Sequence, residues 1–140
     1  QRARMVVQYR YWPVVKDLAE ALLKTYQSRN PEDTEVLDRL ARVQKSQDAE
    51  EARIREEKRK AKELRRTQWW KNRLASGSCH YCEGSFPPGD LTMDHVVPIV
   101  RGGKSNKSNV VPCCKQCNNQ KQCLLPLEWE DYLNRLAGTD

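Results

Sequence analysis

The chain has 140 residues, 25 Lys/Arg against 19 Asp/Glu, a formal charge of +6 and only 38% hydrophobic residues. With a mean hydropathy of −0.89 it is too polar to be one compact globule, which points to a small domain carrying an extension. No apolar run approaches the ~20 residues of a membrane span and no stretch has the layout of a signal peptide, so the expectation is a soluble cytoplasmic protein with no membrane partner. The sequence pI of about 9.1 favours a polyanionic partner.

In chain order, Met5, Val7, Tyr9 and Tyr11 alternate within residues 4–12 and allow a short strand. Pro13 suits a first helical position, and Val14, Val15, Leu18, Ala21, Leu22, Thr25 and Tyr26 recur at helical spacing. A helix over about 13–28 follows. Asn30-Pro31-Glu32-Asp33 has the chemistry of a helix start, with Asn30 as cap and Pro31 preset for the first turn. Neither Gly nor Pro then appears until Gly77, which allows a long charged helix over about 31–75, or two helices in line. Glu35/Arg39, Asp38/Arg42, Glu51/Arg55 and Glu56/Lys60 are acid-before-base pairs four apart, which support a solvated helix. A heptad seam through Leu40, Val43, Gln47, Glu50, Ile54, Glu57, Ala61 and Leu64 is half polar. It leaves open a homodimer through this helix, or a lone exposed helix. Of Trp69 and Trp70, about 100° apart on a helix, one is expected to pack on the domain that follows. The other is expected against the 13–28 helix or on a ligand.

Ser76-Gly77-Ser78 breaks the helix and the chain changes character. A knuckle, the turn Pro87-Pro88-Gly89-Asp90, a strand from Leu91 to His95, a Gly-rich loop, a strand from Asn109 to Val111 and a short helix over about 115–122 follow. A last amphipathic helix runs through Pro126, Trp129, Tyr132, Leu133 and Leu136 to Gly138. The expected fold is α+β and mostly helical, with a helical extension over 1–76 and a small domain with a C-terminal helix over 77–140.

Cys79-x-x-Cys82 and Cys114-x-x-Cys117 are two knuckle pairs, the spacing of a four-thiolate structural Zn²⁺ site rather than of disulfides. Such a site is closed to substrate, and it would hold together a domain too small to fold on its core alone. Cys113, beside Cys114, is left as an alternative ligand or a small buried residue, and Cys123 as a free or core thiol. Asp94-His95 offers a carboxylate for a hard cation such as Mg²⁺ and a base that titrates near neutrality. Successive strand residues face opposite ways, so the pair needs a local bend to act on one phosphate. Asn118, directly after the last cysteine, could supply a second oxygen to the cation. Lys121, one turn on, could reach a phosphate, as could Arg101, Lys104 and Lys107 on the loop.

Cys79-x-x-Cys82, Asp94-His95-Val96-Val97-Pro98 with Gly102-Gly103, Ser108-Asn109-Val110-Val111 and Cys114-x-x-Cys117-Asn118-x-x-Lys121 together resemble the HNH endonuclease family. The likeness covers about 79–121 and departs at Gln122-Cys123, where many relatives have Lys-Gly. It implies a ββα-metal finger, two antiparallel strands and a helix around a divalent cation. It further implies that His95 is the general base, that Asp94 and Asn118 bind Mg²⁺ or Mn²⁺, and that Asn109 holds the loop and orients His95. The expected activity is hydrolysis of DNA phosphodiesters, nicking or cutting both strands, with 5′-phosphate and 3′-hydroxyl ends. The alternative is a non-catalytic zinc-dependent nucleic-acid-binding module.

Charge is divided unevenly. Residues 79–140 hold six Lys/Arg and seven Asp/Glu, whereas Arg53 to Arg73 holds ten basic and three acidic residues. A hold on DNA, mainly through backbone phosphates, is therefore expected from the helix that precedes the cysteines.

Overall fold

A computed structural model describes residues 12–138. The strand expected over 4–12 lies outside them, apart from Trp12, which opens helix α1 (Trp12–Arg29). The α-helices and strands that follow are α2 (Thr34–Arg66), α3 (Gln68–Ala75), β1 (Leu91–His95), β2 (Val110–Cys114), α4 (Lys115–Lys121) and α5 (Pro126–Ala137), with short 3-10 helices at Pro88–Asp90 and Ile99–Arg101. The fold is α+β. The chain divides into two compact units, Gln1–Glu51 and Ala52–Asp140, and the division falls inside α2 rather than after it.

In the first unit, Asn30 serves the helix behind it. Its N–H and its side-chain amide both donate to Tyr26 O, at 2.9 and 3.1 Å, closing α1. Pro31 and Glu32 make the turn, and α2 starts at Thr34. Asn30 is thus not the cap of α2, because α1 has unsatisfied carbonyls of its own to bond. Lys16 reaches Asp48 at 3.5 Å and Glu51 at 3.0 Å. Val14, Val15, Leu18 and Leu22 of α1 are exposed.

In the second unit the long helix is interrupted at Thr67 with no Gly or Pro. Thr67 is extended, with ψ 151°, and its hydroxyl accepts from Trp70 N–H while donating to Leu64 O at 2.7 Å. A short polar side chain that serves both ends in this way competes with the helical ladder. The break turns α3 so that Trp70 is buried at 3% exposure, in one cluster with Ala61 of α2, Met93 of β1 and Val110 of β2. Trp69 packs on the same cluster, with Lys107 Nζ 5.6 Å above its ring. Glu57 and Ala61 are the buried residues of α2 and Leu64 packs beside them. This part of the heptad seam is therefore occupied within its own unit.

β1 and β2 pair antiparallel, with Leu91 opposite Cys114 and His95 opposite Val110. All of β2 is buried. A second cluster joins Leu91, Cys113 and the zinc-type cysteines Cys79, Cys114 and Cys117, with Leu74, Tyr81 and Phe86 around it. Trp129 of α5 packs edge-on against Tyr81 at 5.8 Å and stacks on Tyr132 at 5.4 Å. No helix of the described residues is long and apolar enough to cross a membrane.

Candidate metal centre and catalytic hairpin

The knuckle pairs converge. Ligand sulfurs of Cys79, Cys82, Cys114 and Cys117 all lie within 4.8 Å of one another, the spread four donors need to close around one ion. Main-chain N–H groups point at the sulfurs: Cys114 N–H at Cys79 Sγ, 3.3 Å, and Cys117 N–H at Cys114 Sγ, 3.4 Å. Burial opposes ionisation of Cys79, but the amides of residues 114, 82 and 81 outweigh it and hold its thiol down to about 6. Burial pushes Cys117 up, and the neighbouring thiols add to the shift. One thiol prepared to ionise beside others that resist is what a divalent ion would resolve, since a bound cation deprotonates its thiol ligands outright. The residues present fit Zn²⁺. Cys113 is fully buried in the core cluster beside them, and burial raises its thiol and that of half-buried Cys123.

The zinc-type cluster ties α4 to the sheet, and α4 carries two of the expected site residues. Asn118 Nδ2 donates to Thr92 Oγ1 at 3.1 Å. Lys121 Nζ lies 2.9 Å from Asp94 Oδ2 and 2.9 Å from the His95 carbonyl. Thr92 and Asp94 are two apart on β1 and share a face, so Asp94, Asn118 and Lys121 lie on the same side of the sheet. Tyr81 completes this group. Its hydroxyl donates to Asp94 Oδ2 at 2.6 Å, and its ring lies 5.5 Å from Lys121 Nζ. Burial, then the bond to Asp94, raises the Tyr81 hydroxyl above the usual range.

His95 lies on the other face. β1 stays regular through it and bends only at Val96-Val97, so the pair shares the end of a strand but not a side. His95 Nε2 is 2.9 Å from Ser105 Oγ, and Ser105 bonds Glu57 of α2. Burial, the largest influence, lowers the His95 imidazole below 6.5, against the pull of Asp94. Asn109 acts on the loop itself. Its Oδ1 accepts from Val97 N–H, and its Nδ2 donates to Val97 O and Lys104 O, each at 2.9 Å. The two residues beyond His95 are thereby pinned across the hairpin.

Two expected phosphate contacts are committed elsewhere. Lys121 is fully buried at 0% exposure, so its ammonium serves Asp94 rather than solvent. Arg101 pairs with Glu128 of α5 at 3.0 Å, which, after the Leu125 N–H, is what holds the Glu128 carboxyl low. Lys104 and Lys107 are exposed.

Asp94 and Asn118 fit a hard cation in donor type. Both partners of Asp94 bond Oδ2, and Oδ1 accepts from no described residue; the Asn118 amide uses its nitrogen on Thr92. One carboxylate oxygen and one amide oxygen are thus left to accept.

Residues 79–131 match the family model described as HNH endonuclease. This segment is similar to the HNH endonuclease family. The match contains both cysteine pairs, Asp94, His95, Asn109 and Asn118, and supports a nuclease role at the level of the family. No curated protein matches the chain. Three residues around the HNH hairpin were not identified from sequence. Tyr81 sits inside the first knuckle, where its spacing between Cys79 and Cys82 could have marked it as facing the sheet. Glu57 was visible only as a polar break in an apolar seam. Ser105 carried no signal.

Proposed function

We propose that the chain is a divalent-cation-dependent DNA endonuclease that hydrolyses phosphodiester bonds at the loop end of the β1–β2 hairpin. The observation that carries this reading is that Asp94 and Asn118 lie on the same side of the sheet, within the segment that matches the HNH family. In the proposal His95 is the general base, serving a phosphate that lies across the end of β1 between its own face and that of Asp94, and Asn109 positions the loop beyond it by clamping Val97. Asp94 and Asn118 hold Mg²⁺ or Mn²⁺, which when bound supplies positive charge for the phosphate and the departing oxygen. Tyr81 and Lys121 hold the Asp94 carboxylate in place. The water oxygen bonds phosphorus, its proton passes to His95, and the 3′ oxygen leaves and takes a proton from solvent. Ends of 5′-phosphate and 3′-hydroxyl result. DNA is held through backbone phosphates by the exposed Arg55, Lys58, Lys62, Arg65 and Arg66 of α2, with Lys104 of the loop. A monomer nicks.

The test is relaxation of supercoiled plasmid with Mg²⁺ or Mn²⁺ by wild type and His95→Ala. Wild type is expected to cut and the variant to lose at least 100-fold, the scale of a lost general base, about 10²–10⁴. Equal cutting by both removes His95 from the role, and no cutting by wild type with any divalent cation removes the activity.

One observation favours a second reading, a non-catalytic zinc-dependent nucleic-acid-binding module. Asp94 Oδ2 is already bonded by an ammonium and a phenol, an arrangement that needs no cation. Under that reading Asp94→Ala/His95→Ala shifts DNA in a gel as wild type does, and wild type leaves the DNA intact.

A further inference from the structure

The bond between His95 and Ser105 has a direction that its neighbours settle. Ser105 Oγ lies 2.7 Å from the Glu57 main-chain carbonyl and 2.9 Å from His95 Nε2. A hydroxyl has one proton and a carbonyl has none. At 2.7 Å the two oxygens repel unless the proton lies between them, so Ser105 donates to Glu57 O. The bond with His95 must then run the other way, with Nε2–H donating to Ser105 Oγ. A neutral imidazole has a single N–H, so Nδ1 is left as the bare nitrogen. Nδ1 has no partner among the described residues. None of their buried side-chain nitrogens or oxygens lacks a partner, so Nδ1 keeps contact with solvent.

Ser105 is itself held on both sides. Its N–H donates to Glu57 Oε2 at 2.5 Å, and Lys60 Nζ holds that carboxylate at 2.9 Å. Ser105 is 9% exposed and Glu57 6%. One turn earlier on α2, Arg53 donates to Ile99 O at 2.6 Å. The helix thus grips the loop that follows β1 at two points, from outside the segment that matches the family.

We propose that Ser105, locked by Glu57 of α2, is a positioning residue that keeps His95 in the Nε2–H tautomer, leaving Nδ1 as its only proton acceptor. The first half of this assignment is a property of the folded chain. The use of Nδ1 to take the proton of the attacking water rests on the nuclease reading above.

The experiment is the imidazole nitrogen NMR spectrum of the zinc-loaded full chain at alkaline pH, without DNA or Mg²⁺. The chain has two histidines, so a His80→Gln sample assigns the signals. Wild-type His95 is expected to show one protonated nitrogen at Nε2 and one bare nitrogen at Nδ1. An Nδ1–H pattern overturns the proposal. In Ser105→Ala the two nitrogens are expected to move towards averaged shifts, and kcat for plasmid nicking to fall about tenfold with KM unchanged. An unaltered Nε2–H pattern in Ser105→Ala overturns the role of Ser105. The spectrum does not depend on activity. A chain with the Nε2–H pattern that cuts no DNA supports the tautomer assignment and sinks the nuclease reading alone.

Discussion

Lys121 carries a charge at 0% exposure and Asp94 takes it at 2.9 Å, with 8% of the Asp94 side chain exposed. Removing one member of such a pair leaves the other uncompensated, which costs about 3–5 kcal/mol. Lys121→Met is therefore expected to lower the urea midpoint sharply, and Lys121→Met/Asp94→Asn to recover part of the loss; equal midpoints for wild type and the single variant would show the pair to be inert. Glu57 gives a pH dependence. The Ser105 N–H and then Lys60 hold its carboxyl below the ordinary 4.5. A carboxylate depressed by folding contributes stability above its unfolded value, and loses it as pH falls through the folded one. Below about pH 4.5 wild type should lose stability more steeply than Glu57→Gln, measured as thermal midpoints against pH. Sequence could mark Asp94, His95, Asn109 and Asn118, because a motif records residue types at fixed spacing. It could not show that Lys121 is spent on Asp94, because a lysine near a candidate site looks the same whether it faces solvent or a carboxylate.

At the scale of elements, α2 and the loop after β1 form one device. Gly103 lies so close to the turn that a Cβ there would fall 1.8 Å from Val97 O and 2.8 Å from Pro98 O. Both are main-chain atoms and cannot swing aside. Gly103→Ala is expected to displace Val97, break its bonds to Asn109 and destabilise by roughly 1–3 kcal/mol, seen as a lower thermal midpoint and faster amide exchange at Val97. Trp70 anchors the helix side of the same core. Trp70→Ala should cost about 3–5 kcal/mol by denaturant titration, whereas a change under ~1 kcal/mol would mean that the packing of α3 on the sheet is dispensable. The helix spacing, the knuckles and β1 were legible because 3.6-residue and two-residue periodicity are local. The break at Thr67 was not, since nothing in the chain forbids helix there; the hydroxyl that bonds Leu64 O and Trp70 N–H decides it.

For the whole molecule, the four cysteines join residues 79–82 to 114–117. Chelation of zinc is expected to abolish the cooperative melt of Ala52–Asp140, because ligand binding and folding are one free energy in a site of this kind. An unchanged melt after the metal is stripped, checked by elemental analysis, would remove zinc from the fold. Because Ala61 and Trp70 share a cluster with Met93 and Val110, a fragment of residues 77–140 should fail to retain zinc with a cooperative melt, while residues 52–140 should succeed. If the exposed basic face of α2 holds DNA, Arg55→Gln/Lys58→Gln/Lys62→Gln/Arg66→Gln should weaken binding and flatten its salt dependence, the slope falling by about 0.9 for each phosphate no longer neutralised.

By itself, the sequence determined the order of most elements, the spacing of the four cysteines, the likeness of residues 79–121 to the HNH family and the uneven charge, since these depend on residue type and local spacing. Only the tertiary structure decided which helix surface is core, that Asp94 and His95 look to opposite faces, and that a serine with no motif around it reaches His95. Those facts depend on pairs up to 48 residues apart, Glu57 with Ser105 among them, and no local pattern encodes a partner at that distance.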